Sequence, residues 1–78
     1  MKLNIISAES VLYSGDVDSV TLPGAMGSFT VLHNHATLLS TLTEGTVAYR
    51  DIAGNELTTD IGGGIASVDN NIINVCVY

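Results

Sequence analysis

The sequence predicts an all-β domain: a two-layer antiparallel β-sandwich of about eight to ten short strands, with little or no helix. Three observations predict it. Turn formers recur at short, even spacing along all 78 residues. The stretches between them are short and rich in Val, Ile and Thr, which suit a pleated, half-buried surface. Within those stretches apolar and polar residues alternate, and alternating side chains in a strand lie on opposite faces. Residues 1–78 form one domain. A chain of this length buries roughly 60% of the surface its unfolded form exposes, so its stability is marginal and a partner surface adds to it.

In chain order, Gly15, Pro23-Gly24, Gly27, His33-Asn34, Glu44-Gly45, Gly54-Asn55, Gly62-Gly63-Gly64 and Asp69-Asn70-Asn71 read as turns or bends. Gly and Asn accept positive φ, and Asp and Asn bond back to their own backbone. Val20 and Leu22 point one way and Thr21 the other. Phe29 pairs with Val31 on one face, and Val47 with Tyr49. Leu38, Leu39 and Leu42 have helical spacing, but Thr37, Ser40, Thr41 and Thr43 among them disfavour a helix, so a strand or short turn is expected. In the last stretch, Ile73, Val75 and Val77 share a face. With Phe29, Tyr13, Tyr49 and Tyr78 as the only aromatics, the core is aliphatic.

Charge excludes whole classes of partner. Lys2 and Arg50 stand against eight acidic residues, for a net charge of −6. Two cations do not neutralise a row of phosphates, so nucleic acid is excluded, and an anionic lipid surface repels the chain. A basic protein surface is the better match. Cys76 is alone, which fits a reducing compartment, and its apolar neighbours suggest a small buried hydrophobe. No apolar run approaches the roughly 18 residues of a membrane span, and no signal peptide is present, so a soluble cytoplasmic protein is expected.

Candidate chemistry is thin. His33 and His35 form an H-x-H pair that could gather two metal ligands on a strand, with Asp16 or Asp18 as a third. The plainer reading puts both at a turn, one bonded to backbone. Gly62-Gly63-Gly64 lacks the Lys and the helix of a phosphate cradle, and reads as a bend where another backbone passes closely. No serine lies in G-x-S-x-G, and Asp16 and Asp18 read as solvated. What remains is a binding or structural module without cofactor, with a small metal- or ligand-binding barrel on His33 and His35 as the rival.

Three segments resemble one family. Ile6 to Gly15 is similar to the V-x-A/P-E-x-x-x-F/Y-x-G opening of the epsilon subunit of F-type ATP synthase. Val20 to Leu39 resembles its V-x-x-P-G-x-x-G-x-F-x-V-L-P-x-H-A-P-L-L nearly residue for residue. Gly63 to Val68 is similar to its G-G-F/I-x-x-V. His33 and Thr37 stand where the family usually has Pro. The resemblance covers the family's sandwich and not its two C-terminal helices, so an inhibitory tail and its nucleotide site are not implied. It does imply a non-catalytic rotor subunit of the central stalk, coupling c-ring rotation to the gamma subunit and ion translocation to ATP synthesis. Such a subunit works as a peripheral part of the complex on the cytoplasmic side of the cell inner membrane. Carried over by position, Ala25, Met26, Gly27 and Ser28 form the loop facing the c-ring. Ser7, His35 and Ser40 lie on or near the side facing gamma. With unpaired edges and an empty docking face, the isolated chain is expected as a monomer or a crystal dimer.

Overall fold

The computed structural model describes residues 1–78, and its regular structure consists of eight strands. They are β1 (Lys2–Ser7), β2 (Val11–Leu22), β3 (Phe29–Leu32), β4 (Leu38–Leu42), β5 (Gly45–Asp51), β6 (Glu56–Ile61), β7 (Gly64–Asp69) and β8 (Ile72–Val77). One layer runs β4-β7-β8-β1-β2, and the other consists of β3, β2, β5 and β6. The segment holding Leu38, Leu39 and Leu42 is strand β4, as its threonines suggested.

β2 is the twelve-residue strand that serves both layers. Its first half pairs with β1, and its second half lies between β3 and β5. The register against β5 slips between Val17 and Ser19, leaving Asp18 as an extra residue. A bulge of this kind bends the strand and resets its alternation. Val17 and Val20 are therefore both buried although they lie three positions apart.

The core is aliphatic, as expected. Leu3, Ile5, Val20, Val31, Val47, Ile73 and Val75 are wholly buried. Tyr13 and Tyr49 stack at its margin with ring centroids 4.5 Å apart, tilted by 49°. The Tyr49 hydroxyl bonds to Thr59 Oγ1 at 3.0 Å. Each pair proposed from alternation shares a face: Val20 with Leu22, Val47 with Tyr49, Phe29 with Val31, and Ile73 with Val75 and Val77.

Three expectations are corrected. The sandwich is not wholly antiparallel: β1 and β8 run parallel, from Lys2 opposite Ile72 to Ser7 opposite Val77. The first and last strands are joined by no hairpin, so nothing local imposes an antiparallel pairing. Gly15 is not a turn. It lies inside β2 opposite Leu3, where a Cβ would come within 2.9 Å of the Tyr13 hydroxyl, so it makes room for that ring. Cys76 is exposed, because burying Ile73 and Val75 turns it to the other face of β8.

Ile5→Ala removes a fully buried side chain from the middle of this core. It is expected to cost about 2–5 kcal/mol, a large share of the roughly 5–15 kcal/mol available to a small domain. A urea titration should show a midpoint shifted far down, or no folded baseline.

Candidate interaction faces

Outward-facing residues of the first layer line up across five strands. Val11, Ile6, Cys76, Ile65 and Thr41 occupy successive paired positions on β2, β1, β8, β7 and β4. All five are exposed, Val11 at 62% and Ile65 at 53%. One step along the strands lies a second row: Ser14, Asn4, Asn74, Ser67 and Leu39. Its polar members bond sideways. Ser14 Oγ donates to Asn4 Oδ1 at 2.8 Å, and Asn4 Nδ2 donates to Asn74 Oδ1 at 3.0 Å. Leu39, 73% exposed, ends that row beside Thr41 and Ile65. This face thus carries an apolar track next to a hydrogen-bonded polar one.

The outer face of the second layer is different. Thr30, Thr21, Ala48 and Thr58 form one of its rows. Thr21 and Thr30 share a 2.9 Å hydrogen bond, and Thr46 donates to Asp60 at 2.8 Å. A shallow pocket of about 300 Å³ lies over Ser19, Thr21, Ala48, Arg50, Glu56 and Thr58. β6 forms one edge of this layer, and Glu56 and Asp60 stand on it as charges that oppose edge-to-edge pairing.

Ala25, Met26, Gly27 and Ser28 project from one end of the sandwich, and all four are exposed. Gly27 N–H donates to Gly24 C=O at 3.0 Å, closing a turn around Ala25 and Met26. Ala25 N–H donates to Thr41 C=O at 2.9 Å, anchoring the turn to β4. Only glycine fits at 24, since a Cβ there would meet Gly27 O at 2.6 Å. The Met26 side chain is entirely in solvent at the tip.

Ser7, His35 and Ser40 do not converge. Ser7 ends β1, where its hydroxyl accepts Ser10 N–H at 3.2 Å and shapes the turn into β2. In the paired rows Ser7 lies level with Val77, Gly64 and Leu42, three strands away from β4, roughly 14 Å at normal strand spacing. Ser40 is half-buried on β4 opposite Ala66. His35 lies beyond the other end of β4, in the loop that follows β3.

His33 and His35 occupy a turn and not a strand. His35 N–H donates to Leu32 C=O at 3.1 Å, and Asn34 takes φ 62° as the third residue, as in a type II turn. Both imidazoles are exposed, and His35 Nδ1 lies 2.8 Å from Ala36 O. No set of three His, Cys, Asp or Glu side chains is grouped to hold a metal ion. The glycine run serves close packing: Gly62 N–H donates to Tyr78 C=O, and a Cβ on Gly64, at φ 152°, would overlap the Cys76 carbonyl oxygen.

Two groups titrate away from their usual values. The Asn55 backbone N–H, then the Asn55 side chain, hold the Asp51 carboxyl below the usual range, and Ala53 N–H adds a third bond. Burial raises the Tyr13 hydroxyl, and the Asp51 carboxylate adds to that rise. These groups shape the β5–β6 turn and the core margin, and neither sits in a cleft built for catalysis.

Residues 1–78 match the family model described as the ATP synthase, Delta/Epsilon chain, beta-sandwich domain. The chain belongs to that family. Similar proteins include the ATP synthase epsilon chain of Sulfurovum sp., 42% identical over 69 residues, covering 88% of this chain and 54% of the relative. The epsilon chain of Caulobacter vibrioides is 44% identical over 68 residues, covering 87% of this chain and 78% of that one. The chain spans about half the length of several epsilon chains it matches. Among solved structures, a chain of the Euglena gracilis mitochondrial ATP synthase (OSCP/F1/c-ring) superposes with a TM-score of 0.86 at 19% identity, over 96% of this chain and 48% of that one. A chain of the Tetrahymena thermophila central stalk/c-ring assembly gives 0.80 at 15% identity, over 99% and 62%. At such identities the likeness is one of fold. Within this delta/epsilon sandwich the outward rows and loop tips therefore define the candidate site.

Because its folded-state value lies below the ordinary 3.8, ionised Asp51 stabilises the fold above that pH. The contribution disappears as pH falls through the folded value. Asp51→Ala should lower the urea midpoint near neutrality, and should flatten the loss of stability between about pH 5 and about pH 2. Equal acid sensitivity in both proteins would assign that loss to other carboxylates.

Proposed function

We propose that this domain is the sandwich of a non-catalytic rotor subunit in the central stalk of an F-type ATP synthase. It binds the gamma subunit and the c-ring, and couples ring rotation, hence ion translocation, to ATP synthesis. The family match over residues 1–78 carries this reading. The solved relatives support it, one coming from a c-ring assembly and one from a central stalk with its c-ring. In this reading the subunit is peripheral to the membrane, on the cytoplasmic side of the inner membrane. No helix is long and apolar enough to cross a membrane.

The outer face of the β4-β7-β8-β1-β2 layer is the gamma-docking face. Its apolar track excludes water at the centre of a contact and its polar track supplies hydrogen bonds, the make-up of a stable protein interface. His35, in the loop before β4, and Ser7, at the end of β1, stand at its margins, while Ser40 lies on the inner side of β4 opposite Ala66. The Ala25–Ser28 turn, with Met26 at its tip, is the c-ring contact. Met offers an unbranched, adaptable apolar surface suited to a partner that moves past under load. The −6 net charge favours basic partner surfaces and opposes anionic lipid. In this reading the Ala25 N–H bond to the Thr41 carbonyl ties the Met26 turn to β4, a strand of the gamma-docking layer.

Cys76 gives a direct test, since it is the only thiol in the chain and lies in the middle of the apolar track. Saturating gamma subunit should slow its alkylation strongly, and Ile65→Asp should weaken gamma binding roughly tenfold or more while leaving the urea midpoint almost unchanged. Unaltered thiol reactivity in a complex verified by co-elution would remove gamma from this face. For the other contact, Met26→Cys in a Cys76→Ser background should crosslink to c-ring loops in the assembled enzyme.

A further inference from the structure

Two turns far apart in sequence are fastened to each other by side-chain amides. Asn34 N–H donates to Asn71 Oδ1 at 2.6 Å, and Asn71 Nδ2 donates to Asn34 Oδ1 at 3.0 Å. The two asparagines lie 37 positions apart in sequence. Thr37 Oγ1 donates to Asp69 Oδ1 at 3.1 Å, and Lys2 N–H donates to the Asn71 carbonyl at 2.9 Å. Asn71 thus ties together the start of β1, the β7–β8 hairpin and the loop between β3 and β4.

The local backbone explains why asparagine stands at these places. Asn34 sits at φ 62°, and Asn70 and Asn71 at 49° and 60°. Positive φ is open to Gly and Asn at little cost. The two-residue Asn70-Asn71 turn between paired Asp69 and Ile72 is a type I′ hairpin. Glycine would satisfy the backbone at 34 and 71 equally well, but it would supply no carboxamide. The amides are therefore used for the clamp itself.

We propose that Asn71 is a positioning residue: its carboxamide locks the His33–Thr37 loop so that His35 and the start of β4 reach the gamma-docking face in one fixed pose. The claim about the loop stands on the free chain, and the claim about docking rests on the function proposed above. The need for a lock follows from the loop's composition. His33 and Thr37 restrict φ less than proline, so the unclamped loop samples more conformations, and a partner must then order it on binding. Position 33 would accept proline: it is the second residue of a type II turn, and extended Leu32 precedes it. A side-chain lock and a proline are thus interchangeable ways to hold the same loop.

Asn71→Gly keeps the positive φ and deletes the amide. It should speed hydrogen exchange at Asn34 N–H roughly tenfold in the free chain, without comparable change in core strands. Gamma affinity should fall roughly fivefold or more, and His33→Pro added to Asn71→Gly should restore most of it. Unchanged exchange at Asn34 overturns the clamp. Faster exchange with unchanged gamma affinity overturns the positioning role. If the unsubstituted chain fails to bind gamma, the docking reading fails, and the exchange rates together with their suppression by His33→Pro decide the clamp alone.

Discussion

One strand has to belong to two layers, and the rest of the sandwich depends on how it manages this. β2 gives its first half to β1 and its second half to β3 and β5. An unbroken alternation would point Val17 and Val20 to opposite faces. The extra residue at Asp18 removes the conflict, so both valines enter the core and the chain bends from one sheet into the other. Asp18 itself is exposed, where a carboxylate can stay hydrated. With β2 set this way, parity in every neighbouring strand follows from the ladders, and so does the choice of residues that face outward.

That choice yields two unlike surfaces. The first layer turns out Val11, Ile6, Cys76 and Ile65 in one line, with an amide and hydroxyl track beside it. The second layer turns out mainly threonines and charged side chains, several bonded to one another. Apolar groups aligned across strands offer a larger continuous surface than the same number scattered singly. A rigid sheet also presents them without further loss of backbone entropy on binding. In the function proposed above, this links the fold to a mechanical role, because the proposed docking surface is part of the strand ladder itself.

The ends of the sandwich are built by backbone rules more than by packing. Gly24 and Gly64 sit where any Cβ would collide with a carbonyl oxygen, so the Met26 turn and the β7–β8 pairing both require glycine. Asn34, Asn70 and Asn71 combine positive φ with side-chain bonding. At the opposite end from Met26, the asparagine clamp holds a loop that lacks proline at His33 and Thr37. Asp51 does a related job in the β5–β6 turn by accepting bonds from Ala53 and Asn55.

Sequence alone determined the class of fold, the burial of the alternating pairs, most turns and the poverty of catalytic groups. Each is a local property: φ preference, side-chain parity and residue chemistry act within a few positions. The exposure of Cys76 was also legible, since burying Ile73 and Val75 leaves it outward, but its apolar neighbours suggested the reverse. Tertiary structure decided the parallel pairing of β1 with β8, the place of Gly15 under the Tyr13 ring, the line from Val11 to Thr41 and the meeting of Asn34 with Asn71. These depend on the register between strands up to 70 residues apart. Register is set by the shared core and the ladders together, and no local stretch of sequence contains it.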